Sequence, residues 1–271
     1  MLFILIFGGV GGVHAEEQFY LKYKRMVDSS MYIRHALGGY DGRTYLNIVD
    51  AAEVGYKKGF RLYEVDVSFT SDKKLVLSHG WTRKDYKERL GLLFKEESPV
   101  PSHDGFMSEK MHGRYAPSDI DDLVGFMKNH HDVYVMIDIG RATYARTKKM
   151  YSALVSSVRD DSVLSRFIVG GHTTEAIRAV KEVYDFKLYN LYYAANVLRE
   201  KKLERVEDFI RWCEKNGVTS VSISADRYSL KLAEAFNQSS LIVYVFTVDE
   251  EERARDILLM GASVVGTNFL E

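Results

Sequence analysis

The 271-residue sequence predicts a closed parallel α/β barrel, the (β/α)8 or TIM-barrel class, as a single domain. Eight short apolar runs alternate with amphipathic helical stretches from Tyr32 to Thr267, and this alternation is typical of parallel sheets with helical crossovers. Hydrophobic residues make up 46% of the chain, which is enough for one core of this size. A doubly wound open sheet is the alternative fold.

The predicted strands are short apolar runs, and they are Tyr32–Leu37, Arg61–Val67, Val133–Ile139, Phe167–Gly171, Leu188–Tyr192, Thr219–Ser224, Leu241–Val248 and Ser263–Thr267. The stretches between them repeat apolar residues at helical spacing, and they are Tyr45–Lys58, Ile120–Asn129, Tyr144–Arg159, Thr174–Tyr184, Val206–Asn216, Ser229–Phe236 and Glu250–Met260. Gly217 and Gly261 follow two of these helices at the position of a left-handed C-cap.

One connection between predicted elements is much longer than the others. It is the segment 81–117, which holds all three prolines of the chain. It starts directly after His79, at the end of the barrel where active-site loops lie. We interpret it as a lid or a substrate-selecting insertion after the second strand. Its charged residues from Arg83 to Arg89 fit a solvated helix face.

The net charge argues against a nucleic-acid-binding protein, and the single cysteine excludes a fold held together by internal disulfides. A net charge of -1 provides no basic field for a nucleic-acid backbone, so we expect no nucleic-acid partner. Cys213 is the only cysteine, so no internal disulfide can form. Its place on a predicted helix fits a buried, inert thiol.

The N-terminal residues 1–15 are apolar from Met1 to Phe7 and end at the small residue Ala15, before two acids. This pattern predicts a secretory signal peptide or its remnant, although the usual basic n-region is absent and a core strand is the alternative. The segment is too short to span a bilayer. We therefore expect a secreted, periplasmic or cell-envelope protein with peripheral contact to a membrane or envelope, whose barrel covers residues 30–271.

Acids and histidines stand at the ends of the predicted strands. Glu64 and Asp66 are two residues apart, so their side chains project from one face of the second strand. Asp138 lies near the end of an apolar run, and buried acids without a cation would be unfavourable. Three carboxylates favour a hard divalent metal, Ca²⁺ or Mg²⁺. With His35 and His79 nearby as general base and general acid, the pattern predicts metal-assisted cleavage of a phosphodiester.

A series of motifs follows in order along the chain, namely His35, Asn47, Glu64 with Asp66, Thr70 with Asp72, His79, the strand Val245–Val248 and the segment Gly261–Asn268. This series resembles the glycerophosphodiester phosphodiesterase family, within the phosphatidylinositol-phospholipase-C-like barrels, from Ile33 to the C-terminus. The resemblance implies a phosphoric diester hydrolase of lipid metabolism. It implies His35 and His79 as the catalytic pair and Asn47 as a substrate contact, without deciding which histidine is the acid.

The sequence departs from the family pattern at two cationic positions. Ala36 follows His35 where the family has arginine, and we expect Arg34 to replace it as a phosphate contact. Gly140 stands where the third-strand motif has lysine, and we expect Arg141 to supply that charge. We also expect His172, which follows the fourth predicted strand, to contact the substrate.

Three alternatives to a glycerophosphodiester remain open. Gly80 after His79 resembles the sphingomyelinase D branch, which also carries Asp on its third strand, so a sphingomyelinase-D-like phospholipase is the first. A phosphodiesterase acting on envelope polyol-phosphate polymers or polysaccharide is the second, and a wide groove would favour it over a small pocket. A catalytically inactive barrel that only binds its ligand is the third.

Overall fold

Strand pairing closes a barrel in the computed structural model, which describes residues 10–194 and 205–271. The strands in these ranges are β1 (Tyr32–Arg34), β2 (Leu62–Phe69), β3 (Leu75–Leu77), β4 (Tyr134–Asp138), β5 (Phe167–Gly171), β6 (Leu188–Tyr192), β7 (Ser220–Ser224), β8 (Ile242–Phe246) and β9 (Val264–Thr267). All of them except β3 pair in parallel, and β1 pairs with both β2 and β9. The eight parallel strands therefore close on themselves, which confirms the predicted barrel and excludes the open sheet.

The helices within the described ranges are α1 (Val10–Asp28), α2 (Val49–Lys57), α3 (His103–Met107), α4 (Ile120–Asn129), α5 (Tyr144–Val158), α6 (Asp161–Leu164), α7 (Thr174–Lys181), α8 (Val206–Lys215), α9 (Leu230–Phe236) and α10 (Glu251–Met260). Local chemistry defines several of their ends. The side chains of Thr143 and Thr173 cap the first turns of α5 and α7, and Asp119 forms a capping box at α4. Gly261 ends α10 in the left-handed conformation, as its position in the sequence predicts.

Two predicted boundaries beside the first strand are wrong for the same reason. The strand ends at Arg34 rather than Leu37, and α2 begins at Val49 rather than Tyr45. Leu37, Tyr45 and Asn47 have positive φ angles, which neither a strand nor a right-handed helix accommodates. The chain between β1 and α2 is therefore an irregular loop.

Helix α1 fills the amino-terminal end of the barrel. Its Tyr23 and Val27 are fully buried among interior side chains that include Tyr134 and Tyr244. The hydroxyls of Tyr23 and Tyr244 form a hydrogen bond. The opposite, carboxyl-terminal end of the barrel remains for a binding site.

Part of the predicted signal segment, residues 1–9, lies outside the described residues, and residues 10–15 form the start of α1. None of the helices described here is both long enough and apolar enough to cross a membrane. The signal peptide and the envelope location stay predictions.

After β2 the chain forms a short hairpin that the apolar pattern does not predict, in which β3 runs antiparallel to β2. The insertion 81–117 follows this hairpin. The insertion contains a π-helical turn, Asp85–Leu90, and helix α3. Its apolar residues, including Phe106, form a small core with Leu46 of the loop before α2. The insertion is therefore a packed layer joined to the loops around the first strand.

Candidate active site

A cavity of about 320 Å³ opens at the carboxyl-terminal end of the barrel. Its walls come from the strands and the loops that follow them, and the lining residues are Ile33, His35, Tyr45, Glu64, Asp66, His79, Met136, Asp138, His172, Tyr192, Ser222, Ser224, Tyr244, Phe246, Thr247 and Gly266. No lysine or arginine is among these residues. Active sites of this fold class lie at this end of the barrel.

All three predicted metal ligands, Glu64, Asp66 and Asp138, line this cavity. Asp66 of β2 is directly opposite Asp138 of β4 in the strand pairing, and Glu64 lies two residues earlier on the same face. One carboxylate oxygen from each residue lies within 4.8 Å of the other two. Burial, followed by repulsion between the acids, raises the pKa of Glu64 well above its ordinary value and also raises the pKa of Asp66.

The loop after β1 holds two of these acids in place. The backbone N–H of Ala36 donates to Glu64 Oε2 at 2.8 Å. Asn47 binds residue 66 twice, because its Nδ2 donates to Asp66 Oδ2 at 3.0 Å and its Oδ1 accepts from the Asp66 backbone N–H at 2.9 Å. Asn47 is fully buried behind the acid and does not line the cavity. The structure therefore places Asn47 as a support for Asp66, and a substrate contact at Asn47 stays a prediction.

Asp138 differs from the other two acids because donors surround it. Gly140 N–H donates to Oδ1 at 2.6 Å, His172 Nε2 lies 3.2 Å from the same oxygen, and the Tyr192 hydroxyl donates to Oδ2 at 2.8 Å. Burial raises the pKa of Asp138, but these partners outweigh it and lower the pKa to about 2. His172 also stacks on Tyr192, with ring centroids 3.9 Å apart. His172 thus lines the cavity, where the sequence placed it as a substrate contact.

His35 is supported by the barrel itself. Its Nδ1 lies 2.9 Å from Asn268 Oδ1, and Asn268 Nδ2 donates to Asp249 Oδ2 at 2.7 Å. Because the amide NH₂ donates to Asp249, the amide oxygen faces His35 and accepts from Nδ1–H. Nε2 of the neutral ring then carries a lone pair, and it lies 4.0 Å from Glu64 Oε2.

His79 is supported by the insertion. Its Nδ1 lies 3.0 Å from Asp85 Oδ1, and the Asp85 side chain is almost fully buried. Thr82 N–H donates to Asp85 Oδ2 at 2.9 Å, and Arg89 pairs with Oδ1. Burial raises the pKa of Asp85, but the hydrogen bonds from Thr82 and Arg89 outweigh it and lower the pKa below its ordinary value.

The solvated-face interpretation of the charged run is wrong for Asp85 and Arg89, because both are packed against the site. A signal was present in the sequence, since Thr82-x-x-Asp85 is a capping-box pattern directly after His79. The two residues form this box, with Asp85 N–H donating to Thr82 Oγ1 at 3.2 Å. Asn268 and Asp249 carried a weaker signal, because Asn268 is part of the closing motif of the resemblance.

Neither predicted arginine lies in the cavity. Alternation along β1 places Ile33 and His35 in the cavity and Arg34 on the opposite face, where its guanidinium lies over Phe60 and donates to Leu270 O at 3.1 Å. Arg141 is exposed beyond the end of β4. The expected phosphate contact at Arg34 is therefore corrected, since its guanidinium points away from the cavity. Arg141 does not line the cavity, and its phosphate contact stays a prediction.

A sequence model of the glycerophosphoryl diester phosphodiesterase family matches residues 39–271. A search of curated proteins found no match.

Solved structures with a similar fold include three phosphodiesterases. The glycerophosphodiester phosphodiesterase of Thermotoga maritima has a TM-score of 0.64 at 18% identity, over 88% of this chain and 94% of that chain. The Oleispira antarctica phosphodiesterase in complex with the product sn-glycerol-3-phosphate has a TM-score of 0.69 at 12% identity, over 91% and 95%. A glycerophosphodiester phosphodiesterase of Parabacteroides distasonis has a TM-score of 0.64 at 13% identity, over 88% and 93%. These similarities establish the shared fold.

Proposed function

The chain belongs to the glycerophosphoryl diester phosphodiesterase family and is a phosphoric diester hydrolase, and we propose that it cleaves a small glycerophosphodiester with a divalent cation and two histidines. The arrangement around the three acids carries this proposal. His35 and His79 line the same cavity as the acids, and each ring has its Nδ1 bonded to a protein oxygen. The Nε2 atom of each ring is thereby oriented by its partner for use on a substrate.

Glu64, Asp66 and Asp138 would hold the cation. The donor set fits, because three clustered carboxylate oxygens suit a hard ion such as Ca²⁺ or Mg²⁺. The charge of the site also fits a cation. Among the described residues that line the cavity, no lysine or arginine is present to offset the three acids. When bound, the cation supplies Lewis-acid polarisation of a phosphoryl oxygen and offsets the negative charge of the phosphate.

His35 fits the role of general base. Its Nδ1–H donates to a neutral amide oxygen, so the ring can remain neutral with its lone pair on Nε2. From that atom it would accept the proton of the attacking hydroxyl or water. Asn268 and Asp249 hold the ring orientation while the proton moves.

His79 fits the role of general acid. Its partner is a carboxylate, and the negative charge of Asp85 stabilises the protonated imidazole that must donate a proton from Nε2 to the leaving alkoxide. The different partners of the two rings therefore favour one assignment of base and acid.

The dimensions of the cavity support a small diester. A volume of about 320 Å³ is at the lower end of the range for ligand pockets, which favours a small diester over a polymer. Ser224 and Thr247 place hydroxyls on the cavity wall, where they can hydrogen-bond to a glycerol group.

Hydrolysis of a panel of diesters tests this proposal. We would measure product release from glycerophosphocholine, a lysolipid, sphingomyelin, a polyol-phosphate polymer and bis(p-nitrophenyl) phosphate, with Ca²⁺, Mg²⁺ or chelator. We expect metal-dependent turnover that is fastest on the small glycerophosphodiester, and a loss of at least about 100-fold in His35→Ala and Glu64→Gln. The matched control is His131→Ala, because His131 is exposed.

Full activity in chelator would contradict the assigned role of the three acids. Faster turnover of sphingomyelin or of the polymer would replace the proposed substrate, and an inactive wild type on the whole panel would reject the proposed reaction.

A further inference from the structure

Tyr45 lies between the two histidines. Its ring meets His35 edge-on with centroids 4.7 Å apart, and it meets His79 edge-on with centroids 5.7 Å apart. Tyr45 also adopts a φ angle of 58°, which is unfavourable for a bulky residue and is maintained only when its surroundings stabilise it. The ring therefore sets the spacing of both imidazoles, and some other contact must hold the ring in place.

Arg89 provides that contact. Its guanidinium lies over the Tyr45 ring, 4.5 Å from the centroid, and it also pairs with Asp85 Oδ1. One side chain thus contacts the aromatic wall of the site and the carboxylate that supports His79. The backbone of Arg89 is anchored as well, because His112 Nε2 lies 2.9 Å from Arg89 O.

A second arginine of the insertion shows what an ordinary surface pair looks like. Arg83 pairs with Glu96 and lies 5.1 Å from the Phe94 ring centroid, but both charged side chains are about 70% exposed. The Arg89 side chain is 16% exposed and that of Asp85 is 3% exposed. A buried pair of this kind gains little stability, because removing both charges from water is costly. A positioning role explains its burial better than a contribution to stability does.

We propose that Arg89 and Tyr45 are positioning residues, a clamp through which the insertion aligns His79 for proton donation to the leaving group. Arg89 fixes Asp85 at the correct angle to the imidazole, and Tyr45 fixes the ring laterally. This inference rests on the proposed function, in which His79 is the general acid. The insertion then acts as part of the catalytic apparatus.

Leaving-group dependence tests the clamp. Glycerophosphocholine has an alkoxide leaving group that needs protonation, whereas p-nitrophenolate leaves without it. In Arg89→Met we expect kcat on glycerophosphocholine to fall about 10- to 100-fold, kcat on bis(p-nitrophenyl) phosphate to fall less than about threefold, and KM to stay within about twofold. Arg89→Lys keeps the charge near Asp85 but loses the planar stacking, so it should recover part of the loss.

Arg83→Met is the matched control, because it removes an exposed arginine whose two contacts of the same kinds are with Glu96 and Phe94. Tyr45→Leu is the second variant, since it removes the ring and leaves the Arg89–Asp85 pair; it should lower kcat on glycerophosphocholine more than on the nitrophenyl ester. Thermal unfolding of each variant verifies that it is folded.

An equal loss on both substrates, or a loss no larger than that in Arg83→Met, would overturn the clamp while leaving the proposed function intact. If His79→Ala retained activity on glycerophosphocholine, His79 would not be the general acid, and the proposed clamp would be overturned.

Discussion

The two histidines of the site are supported by different parts of the molecule. His35 is held by Asn268 and Asp249, which belong to the barrel's own strand ends, whereas His79 is held by Asp85 of the insertion. The His35 side chain is 12% exposed and that of His79 is 41% exposed. The barrel thus provides a buried half of the site with a neutral partner, and the insertion provides an open half with a charged partner. If His79 is the general acid, as proposed, changes in the insertion would alter protonation of the leaving group without altering the strands that hold the acids.

The largest expected effect separates the two halves directly. His35→Ala should lower kcat by about 100- to 10,000-fold on both glycerophosphocholine and bis(p-nitrophenyl) phosphate, because the nucleophile of each reaction must be deprotonated. His79→Ala should cause a comparable loss only on glycerophosphocholine. Steady-state kinetics on the two substrates measure this difference, and the reverse pattern would exchange the base and the acid.

Metal binding should depend on the barrel half alone. We expect Ca²⁺ or Mg²⁺ at 100 times its dissociation constant to stabilise the protein by about 2.7 kcal/mol, which raises its Tm. Glu64→Gln should lose most of this shift, and Asp85→Asn should keep it. Thermal unfolding with and without metal gives the measurement, and a lost shift in Asp85→Asn would show that the halves are coupled.

Removal of the charge on the insertion side should have a smaller effect. Asp85→Asn should lower kcat on glycerophosphocholine about 100-fold, because the amide no longer stabilises the protonated ring. The pKa of Asp85 is lowered in the folded protein, so its stabilising contribution is present above its ordinary pKa of about 4 and is lost as the pH falls below that value. The Tm of Asp85→Asn should therefore converge with that of the wild type in acid, and a constant difference at every pH would contradict this linkage.

The smallest effect concerns the attachment of the insertion to the barrel. His103 Nε2 lies 2.9 Å from Asp119 Oδ2. Burial lowers the pKa of His103, but its hydrogen bonds to Asp119 and Asp104 outweigh burial and raise it. The stabilising contribution is therefore fully present below the ordinary pKa of about 6.5 and is lost as the pH rises through the raised value.

Limited proteolysis within residues 81–117 should accordingly become faster above neutral pH. The change should be modest and should be absent in His103→Ala, with His131→Ala as the control. Proteolysis that is slower at high pH in the wild type would contradict the proposed attachment.

Several features of the protein follow from the sequence alone, because they depend on local patterns. The periodicity of apolar residues predicts the barrel, since strand and helix spacing differ and each requires its own face to be buried. The same alternation places Glu64 and Asp66 on one face of β2. The order of the motifs was sufficient to predict the family.

Other features were decided only by the tertiary structure, because they depend on contacts between distant segments. Asn47 reaches Asp66 from a loop whose positive φ angles no periodicity predicts. Asp85 and Arg89 look like residues of a solvated helix until the insertion folds back on His79. Once buried, Asp85 contacts His79 and Arg89 contacts the Tyr45 ring. Burial of a polar residue is set by packing across the whole chain.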